Sequence, residues 1–491
     1  MERKKKDNNK LQVVKKSSIL DQIDYWQLRK MIAKIIPRMT QLKGSNREGE
    51  IVREKGRKKN YQQFNLMHSE WRKQERLLNT KEINSFLEIS VRAAACPMPF
   101  NMDIWDGLTC PYNCIYCFAN AFRASLYTAF FDNSKTMGFR HCNSDYYKKE
   151  IDKMLSTRDW TMDKKQSLSG IQKAFALDIP VRLGIRFEDF LHTERKEGVS
   201  LQMLQYLKDI QYPVMINTKS DVPSDDKYLK ALSENKAGAA VHVTLISSNE
   251  TILKKLEPGA PSYAKRLAAI KKLCDSGIRV VARIEPYLFL ITDDPDDMEK
   301  YMTEVWEAGV RHITLDTYSY TANNSGIRQI FMNEGYDYDR LFLAGADSQP
   351  LGSLLLGKFM ELFQNFGFHC STFDMGNTGI NNDSICCEVG DWFKGGYNYG
   401  STVMASRFIR SRQKQPTSWK NFEIYVEMNG GFLTETLKME VKELWNLEGN
   451  MAYSHRWAPG IAPMGMDEDG IIWMYDEDLP DYRIELLKSI I

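Results

Sequence analysis

The stretch Cys110-Pro-Tyr-Asn-Cys114-Ile-Tyr-Cys117-Phe-Ala-Asn120 places three cysteines in one short loop. Thiolates are the usual protein ligands of iron–sulfur clusters, and close spacing lets a single loop wrap a cubane cluster. A [4Fe–4S] cube has four irons, so three cysteines leave one iron without a protein ligand. An open iron suits a catalytic cluster, whereas a simple electron carrier avoids it. The C-x-x-x-C-x-x-C spacing therefore predicts metal ligands at Cys110, Cys114 and Cys117.

Three other interpretations of these cysteines stay open at this point. Zinc sites usually combine two C-x-x-C pairs or mix cysteine with histidine, and no histidine lies within twenty residues of this loop. A disulfide framework does not suit a long chain with nine cysteines and no secretion signal. Chance clustering of buried cysteines is the third alternative. The spacing favours an iron–sulfur site over all three.

The composition is that of an ordinary globular protein, and it gives no support to a membrane role. The chain has 491 residues, of which 43% are hydrophobic and 26% charged. No apolar run approaches the roughly eighteen residues of a membrane span. Unpaired cysteines and an oxygen-sensitive cluster favour a reducing cytoplasm and a low-oxygen, anaerobic setting. We therefore expect a cytoplasmic protein with no membrane partner.

The net charge of +2 conceals an uneven distribution along the chain. Residues 1–80 hold 21 lysines and arginines against nine acidic residues, and the remainder holds 45 against 55. A basic segment on an acidic body is a candidate DNA or RNA contact. A solvated, partly disordered tail is the alternative interpretation of the same segment.

From residue 97 onward, short apolar strands alternate with amphipathic helices. Strands are predicted over residues 97–108, 180–187, 212–217, 239–246, 278–285 and 310–316. Helices are predicted over 201–210, with Ser200 as N-cap, over 224–235, over 263–276 behind Ser262, and over 295–308. This alternation indicates an α/β fold with a parallel sheet. We expect a partial (β/α)6 TIM-like barrel with catalytic groups on loops at the carboxyl ends of its strands, where the cysteine loop falls.

The pattern outside this alternation suggests four regions. They are a basic, helical and partly disordered N-terminal extension (1–95), the barrel (96–335), a cysteine-containing region (336–410) and a mixed α/β tail (411–491). Helices are predicted over residues 18–38, 61–95, 353–366 and 433–445, and a strand over 422–428. Residues 118–178 are too long for one crossover helix and predict an insertion near the site.

The cysteine motif, with Tyr116 before its third cysteine, resembles the signature of the radical S-adenosylmethionine (SAM) superfamily. In that family SAM chelates the open iron of a [4Fe–4S] cluster. The reduced cluster then cleaves SAM to give a 5′-deoxyadenosyl radical, which abstracts hydrogen from the substrate. The resemblance also implies an electron donor such as flavodoxin or ferredoxin.

Further stretches are similar to one branch, the spore photoproduct lyase-like (DNA repair photolyase-type) proteins. The similarity covers residues 97–320, about half of the chain. It is carried by Val181-Arg-Leu-Gly184-Ile-Arg-Phe-Glu188-Asp189 with Glu194, by Asn217-Thr218-Lys219-Ser220-Asp221, and by Leu256-Glu-Pro-Gly-Ala-Pro261 followed by Arg266-Leu267. The last of these is the most specific match.

This resemblance assigns residues to the cofactor. The cluster would be bound by Cys110, Cys114 and Cys117, and Lys219 would approach the SAM carboxylate through a charge-assisted hydrogen bond. Thr244 stands where the family tends to place a serine near SAM. The remaining cofactor-binding candidates are Tyr116, Gly184 and Glu188. Asp189, Arg283 and Asp316 also lie at predicted strand ends and are candidates either for substrate contact or for structural ion pairs.

The lyase returns hydrogen to its product radical from a further cysteine. The nearest downstream candidate here is Cys142, but its spacing and its context in Arg140-His-Cys142-Asn do not match the family. We therefore do not expect spore photoproduct repair itself.

A second cysteine group consists of Cys370 after His369, and of Cys386 and Cys387 beyond Asp374. These cysteines are candidates for a second iron–sulfur cluster or for a catalytic role. Buried thiols packed as small hydrophobes and a vicinal disulfide are the alternatives. Adjacent thiols are awkward ligands of one metal, because neighbouring side chains in an extended chain point in opposite directions.

Several catalytic motifs are missing from the sequence. It contains no GxxxxGK[ST], no GxGxxG after a strand, no HExxH and no GxSxG, so hydrolase and nucleotide-kinase functions have no support. The sequence favours a radical SAM enzyme acting on a large substrate, with nucleic acid first and a protein or peptide second. A non-catalytic iron–sulfur protein that senses redox state or supports binding is the third alternative.

Overall fold

A computed structural model describes the parts of the chain that form the sheet, its helices and the cysteine loop. The described residues are 23–35, 81–91, 98, 100–107, 110–117, 119, 139–318, 325–336, 348–372, 377, 387–389, 392, 402–428, 435–446, 459–481, 483–484 and 488. The lysine-rich start of the chain, Cys386 and Asp374 lie outside them.

The strands are β1 (Lys81–Ile83), β2 (Glu88–Val91), β3 (Phe100–Asp103), β4 (Trp105–Asp106), β5 (Arg140–Cys142), β6 (Val181–Leu183), β7 (Val214–Thr218), β8 (Ala239–Thr244), β9 (Arg279–Tyr287), β10 (His312–Thr317), β11 (His369–Ser371), β12 (Ile461–Asp467) and β13 (Gly470–Tyr475). The helices are α1 (Tyr25–Ile35), α2 (Ser144–Leu155), α3 (Met162–Gln166), α4 (Gly170–Ala176), α5 (Glu194–Glu197), α6 (Val199–Asp209), α7 (Asp226–Ser233), α8 (Glu250–Leu256), α9 (Tyr263–Asp275), α10 (Pro295–Glu307), α11 (Ser325–Asn333), α12 (Ser348–Phe366), α13 (Thr402–Ser411), α14 (Trp419–Met428) and α15 (Glu435–Trp445).

The main sheet has eight strands in the order β11-β10-β9-β8-β7-β6-β3-β2. All neighbours are parallel except β2, which runs antiparallel to β3. The parallel strands follow one another in chain order, as in a barrel, and the edge strands β2 and β11 are not paired to each other. The predicted α/β partial barrel is therefore confirmed. Strand β11 adds a parallel strand beyond the six predicted, and its three residues gave too short a pattern to recognise.

One face of this sheet is unusually polar. In register across four strands lie Asn217, His242, Val281 and His312, so these side chains share a face. The next row along the strands is formed by Thr244, Arg283, Thr314 and Ser371. The other face carries the apolar side chains between them, such as Ile313 and Val243. Most of these polar groups are buried, so the polar face lines the interior of the partial barrel.

Of the two predicted helix caps, one is confirmed and the other is wrong. Helix α9 begins behind Ser262, whose hydroxyl accepts from the Lys265 amide, as predicted. Helix α6 instead begins at Val199 behind Gly198, so Ser200 is not its N-cap. The Glu194 carboxylate accepts from the first amides of this helix, and the Ser200 hydroxyl donates to the Asp189 carbonyl (2.6 Å). A carboxylate from outside the helix has replaced the expected local cap.

The N-terminal segment contains both a confirmed helix and an error. Helix α1 is present, and the Gln27 amide donates to Asp24 at its start, so the cap is Asp24. Its Tyr25 hydroxyl is buried against Asp293 and Tyr287. The predicted helix over 61–95 is wrong for residues 81–91, which form β1 and β2. Pairing of β2 with β3 outweighs the helical spacing of the apolar residues there.

A second hydrophobic core lies toward the C-terminus. It is built from α13, α14, α15 and the antiparallel hairpin of β12 and β13. The predicted strand over 422–428 is wrong, because this segment belongs to helix α14. Trp419, Phe422 and Val426 are buried along one helical face, while Ile424 and Met428 are exposed. Packing of that face decided the conformation despite the alternating pattern of apolar and polar residues.

The predicted insertion contributes strand β5 to a small three-stranded sheet. Strand β5 lies between β1, to which it is parallel, and β4, to which it is antiparallel.

None of the helices in the described ranges is both long and apolar enough to cross a membrane.

Candidate active site

The cysteine loop lies beyond the carboxyl end of β3 and is held by tight turns. The Asn113 amide donates to the Cys110 carbonyl (3.0 Å), and the Cys117 amide donates to the Cys114 carbonyl (3.1 Å). Asn113 has a positive φ of 48°, which asparagine tolerates better than most residues. Cys114 is buried, whereas Cys110 and Cys117 are partly exposed. The loop thus offers thiols both to the interior and to a ligand entering from outside.

The loop is bound to the Leu256–Pro261 motif by main-chain contacts on both sides. The Ile115 amide donates to the Leu256 carbonyl (2.9 Å), and the Gly259 amide donates to the Tyr112 carbonyl (3.0 Å). A Cβ atom at Gly259 would lie 2.1 Å from the Pro111 carbonyl oxygen. Glycine is therefore required at this position, because the two backbones approach too closely for any side chain.

A buried ion pair stabilises the contact between the cysteine loop and the Leu256–Pro261 motif. The Arg266 guanidinium lies 2.6 Å from the Glu257 carboxylate, and both side chains are almost fully buried. The Tyr116 hydroxyl donates to the same carboxylate, and Arg266 also donates to the Thr244 carbonyl (2.9 Å). Breaking such a pair on one side typically costs about 3–5 kcal/mol. The residue before the third cysteine is thus fixed to helix α9 and to the end of β8.

The Thr218–Ser220 segment after β7 approaches the cysteine loop from the other side. Burial raises the pKa of Tyr112 well above its ordinary value, and Ser220, close to its hydroxyl, acts in the opposite direction. The Lys219 ammonium lies 5.4 Å from the centre of the Tyr116 ring, within the range of a cation–π contact. Three motifs far apart in sequence therefore meet at the carboxyl end of the sheet.

Cys114 and Lys219 shift each other's pKa values, because the two side chains are buried close to each other. Burial raises the pKa of Cys114 well above its ordinary value, and Lys219 acts in the opposite direction. Burial lowers the pKa of Lys219, but Cys114, Glu257 and Cys117 raise it by more, so the ammonium stays charged. Metal binding requires deprotonated thiols. A nearby ammonium that stabilises them, with two further thiols partly open to solvent, fits a three-thiolate cluster site.

Glu188 and Asp189 are occupied by local donors. Glu188 accepts from the Thr218 hydroxyl (2.6 Å) and from the Lys219 amide (2.9 Å). Asp189 accepts from the amides of Ile104, Trp105 and Gly184. Burial raises the pKa of both carboxyl groups. These contacts fix the strand ends on which the site is built, and a cofactor-binding role for Glu188 stays a prediction.

Gly184, Thr244, Arg283 and Asp316 all lie near the same end of the sheet. A Cβ at Gly184 would lie 2.2 Å from the Asn217 carbonyl, so a close approach of two strands requires this glycine. Thr244 is buried in register with Arg283, which pairs with Glu285. Asp316 accepts from the Thr317 amide (2.9 Å). Arg283 is thus in an ion pair, one of the two predicted alternatives.

Cys142 lies in a different environment from the cysteine loop. It is fully buried in β5, and its amide donates to the Ile104 carbonyl. Burial raises its pKa, and Asp189 adds to this shift. The structure thus places Cys142 in the side sheet, behind Asp189, and its role as a hydrogen donor stays a prediction.

The second cysteine group is divided by the sheet. Cys370 is in register with Ile313 and so lies on the apolar face, where burial raises its pKa. The Cys387 carbonyl is 3.0 Å from His242 Nε2 on the polar face, and Cys387 acts on the pKa of Arg283. The two described cysteines of this group therefore lie on different faces of the sheet, and a second cluster or a catalytic role for the group stays a prediction.

Glu257, Arg266 and Tyr112 were not predicted as site residues, although all three lie in the quoted motifs. Glu257 and Arg266 are nine positions apart in sequence and gave no metal or catalytic signature. No local pattern marks the pair, because Arg and Glu are mostly exposed in proteins and these two are buried in contact with each other.

No family model matches the chain, and no curated protein matches it. Among solved structures, spore photoproduct lyase complexed with dinucleoside spore photoproduct matches with a TM-score of 0.37 and 14% identity, over 53% of this chain and 68% of that one. A variant of the same lyase with bound AdoMet matches with a TM-score of 0.41 and 12% identity, over 60% and 81%. SuiB of Streptococcus suis bound to S-adenosylmethionine matches with a TM-score of 0.36 and 12% identity, over 57% and 51%.

These structures include the enzyme whose branch the sequence motifs resemble.

Proposed function

We propose that this chain is a radical SAM enzyme that reductively cleaves S-adenosylmethionine and acts on a large substrate, with nucleic acid as the first candidate. Cys110, Cys114 and Cys117 would hold a [4Fe–4S] cluster. When bound, the cluster and SAM would supply a 5′-deoxyadenosyl radical for hydrogen abstraction. The observation that carries the proposal is the convergence of the cysteine loop, Lys219 and the Glu257–Arg266 pair at one end of a parallel sheet.

The roles of the protein groups follow from their contacts. The thiolates would bind three irons and leave the fourth open. The Lys219 ammonium, next to Cys114, would attract the carboxylate of SAM and offset the charge of the thiolates. The Glu257–Arg266 pair holds Tyr116 and hence the loop in a fixed conformation. A small electron carrier such as flavodoxin or ferredoxin would deliver the electron, in a reducing compartment such as the cytoplasm.

The direct test is anaerobic reconstitution with iron and sulfide, followed by SAM and a strong reductant. Release of 5′-deoxyadenosine is the expected result, and Cys114→Ala should abolish it. Cys274→Ala is a matched control, because Cys274 is a partly buried cysteine of helix α9 away from the loop. A wild-type protein that holds four irons and yields no 5′-deoxyadenosine would instead be a non-catalytic iron–sulfur protein.

The substrate class is tested through the basic N-terminal segment. Neutralising Lys4, Lys5 and Lys6 to glutamine leaves helix α1 untouched, whereas deleting residues 1–60 would remove the buried Tyr25. If DNA or RNA is the substrate, binding weakens steeply with salt. The triple variant should then have a shallower salt slope, by about one for each phosphate that it no longer neutralises. Absent or salt-insensitive binding would favour a protein or peptide substrate.

A further inference from the structure

A cluster of metal-ligand side chains lies at the amino end of the sheet, opposite the cysteine loop. His312 begins β10, His369 begins β11, and the two are in register. Glu388 belongs to the short segment 387–389. One ligand atom from each of these three side chains lies within 4.8 Å of the other two. None of the three residues has a role in the proposed radical chemistry.

His312 is already oriented as a ligand. Its side chain is fully buried, and its Nε2 atom lies 2.5 Å from the Ser371 hydroxyl. Its Nδ1 atom is buried and has no hydrogen-bond partner among the described residues. A buried ring nitrogen without a partner is costly. Metal-binding histidines usually have one ring nitrogen held by a hydrogen bond and the other available to the metal.

The spacing agrees with a single metal ion. The distance from His312 Nδ1 to the nearer Glu388 oxygen is 3.6 Å. Two ligands at about 2.1 Å from a tetrahedral Zn²⁺ are separated by roughly 3.4 Å, so this pair needs little movement. The ligand atom of His369 lies within 4.8 Å of both and would move closer on binding. Two histidines and one carboxylate form a ligand set that is typical of zinc and of other divalent first-row metals, with a position left for water.

The His312–His369–Glu388 group is open to solvent on one side, and hydrogen bonds hold the segment that carries Glu388. His369 is exposed and Glu388 is partly exposed, so an ion reaches the site from solvent. Arg279 donates to the Glu388 carbonyl (2.6 Å), and His242 Nε2 lies within hydrogen-bond distance of the Cys387 carbonyl. These contacts hold the segment against the amino end of the sheet. Glu388 has a positive φ of 52°, an uncommon conformation for this residue type.

We propose that His312, His369 and Glu388 bind a divalent transition metal of the zinc class, at the end of the barrel opposite the cysteine loop. The ion would join β10, β11 and the segment 387–389, and so close the amino end of the interior. In this arrangement the Nε2–H of His312 donates to the Ser371 hydroxyl, and Nδ1 is the ligand atom.

Cobalt(II) is a suitable probe, because its visible absorption reports the coordination geometry and a thiolate ligand adds a charge-transfer band. The experiment uses the full-length chain with Cys110, Cys114 and Cys117 all replaced by alanine, so that the proposed iron–sulfur site cannot bind the probe. We expect each chain to bind one Co²⁺ ion, which one Zn²⁺ ion displaces. The visible spectrum should show the absorption bands of a Co²⁺ ion with a low coordination number and no thiolate charge-transfer band.

Variants identify the ligands. His369→Ala should weaken Zn²⁺ binding by at least about 100-fold, since even changes beyond the direct ligands cost about 10–100-fold. This residue is exposed, so its loss should not prevent folding. Ser371→Ala should weaken binding by about 10–100-fold through the orientation of His312. His192→Ala removes another exposed imidazole and should leave the affinity unchanged.

Three results would overturn the proposal. They are the absence of Co²⁺ binding, a thiolate band that persists in the triple cysteine variant, or an affinity that His369→Ala and Glu388→Gln do not alter. Because the cluster cysteines are absent from this experiment, its outcome is independent of the radical SAM proposal.

Discussion

The two cysteine groups of this chain are each compact in sequence, but only the first has its described members together in one loop of the structure. Residues 110–117 form one loop whose conformation is fixed by turns and by the buried Glu257–Arg266 pair. In the second group, Cys370 lies on the apolar face of the sheet and Cys387 on the side of the polar face. Proximity in sequence predicts a shared site when the residues lie in one tight loop. It does not do so when the residues lie on different faces of a sheet.

The largest expected difference between the groups is in bound iron. After anaerobic reconstitution, Cys110→Ala or Cys117→Ala should lose most of the roughly four irons that one cluster contributes. Cys370→Ala and Cys387→Ala should retain them. Iron and sulfide quantification measures this directly. A wild-type content of about eight irons that falls by half in Cys387→Ala would show that the second group also holds a cluster.

The buried ion pair is expected to have the next largest effect. Glu257→Gln leaves Arg266 buried without its carboxylate, so the free energy of unfolding should fall by about 3–5 kcal/mol, and the variant should lose its cluster faster. Chemical denaturation of the metal-free protein gives the first quantity.

Glu234→Gln is the matched control, because the Lys208–Glu234 pair is exposed and such pairs contribute about 0–1 kcal/mol. Equal losses for the two variants would contradict the role given to the buried pair.

Lys219→Met tests whether the ammonium beside Cys114 binds SAM. Losing a charged hydrogen bond should weaken SAM binding by about 1.5–3 kcal/mol, or roughly 10–100-fold, while iron content stays close to that of the wild type. Equilibrium binding to the reconstituted protein measures the change.

Lys227→Met is the comparison variant, because Lys227 also lies over a tyrosine ring but is on the surface of helix α7. If both variants bind SAM as tightly as the wild type does, Lys219 has no role in binding the carboxylate.

The smallest expected effect comes from the close approach of two backbones. Gly259→Ala would place a methyl group against the Pro111 carbonyl, so we expect a loss of about 1–3 kcal/mol in stability and a weaker hold on the cluster. Gly352→Ala in helix α12 is the control, because its Cβ would have an ordinary contact of 3.5 Å with Phe289. Full iron retention in Gly259→Ala would show that the loop does not depend on this contact.

Much of the barrel was predictable because its signals are local. The alternation of short apolar strands and capped helices gave the sequential parallel sheet, and the Ser262 cap is present as expected. The errors fell where packing competes with local pattern. Segment 422–428 alternates like a strand but packs as helix α14, and residues 81–91 form strands because β2 pairs with β3. Strand β11 was too short to recognise.

The site was predictable in part for the same reason. The cysteine motif and the segment around Lys219 are short and self-contained, so they could be named from the sequence. The contact between Tyr116 and Glu257 joins residues 141 positions apart, and no local pattern encodes it. The surroundings of Glu188 were equally hidden, since its partners Thr218 and Lys219 lie at the end of the following strand, about thirty residues away in sequence.

The sequence by itself determined the ligand loop and the order of the strands, because both depend on spacing within a few residues or on the periodicity of single segments. Only the tertiary structure decided which distant side chains meet. It divided the second cysteine group between two faces, and it brought His312, His369 and Glu388 together at the far end of the sheet. The physical reason is that strand register and packing, which act across the whole chain, set these distances.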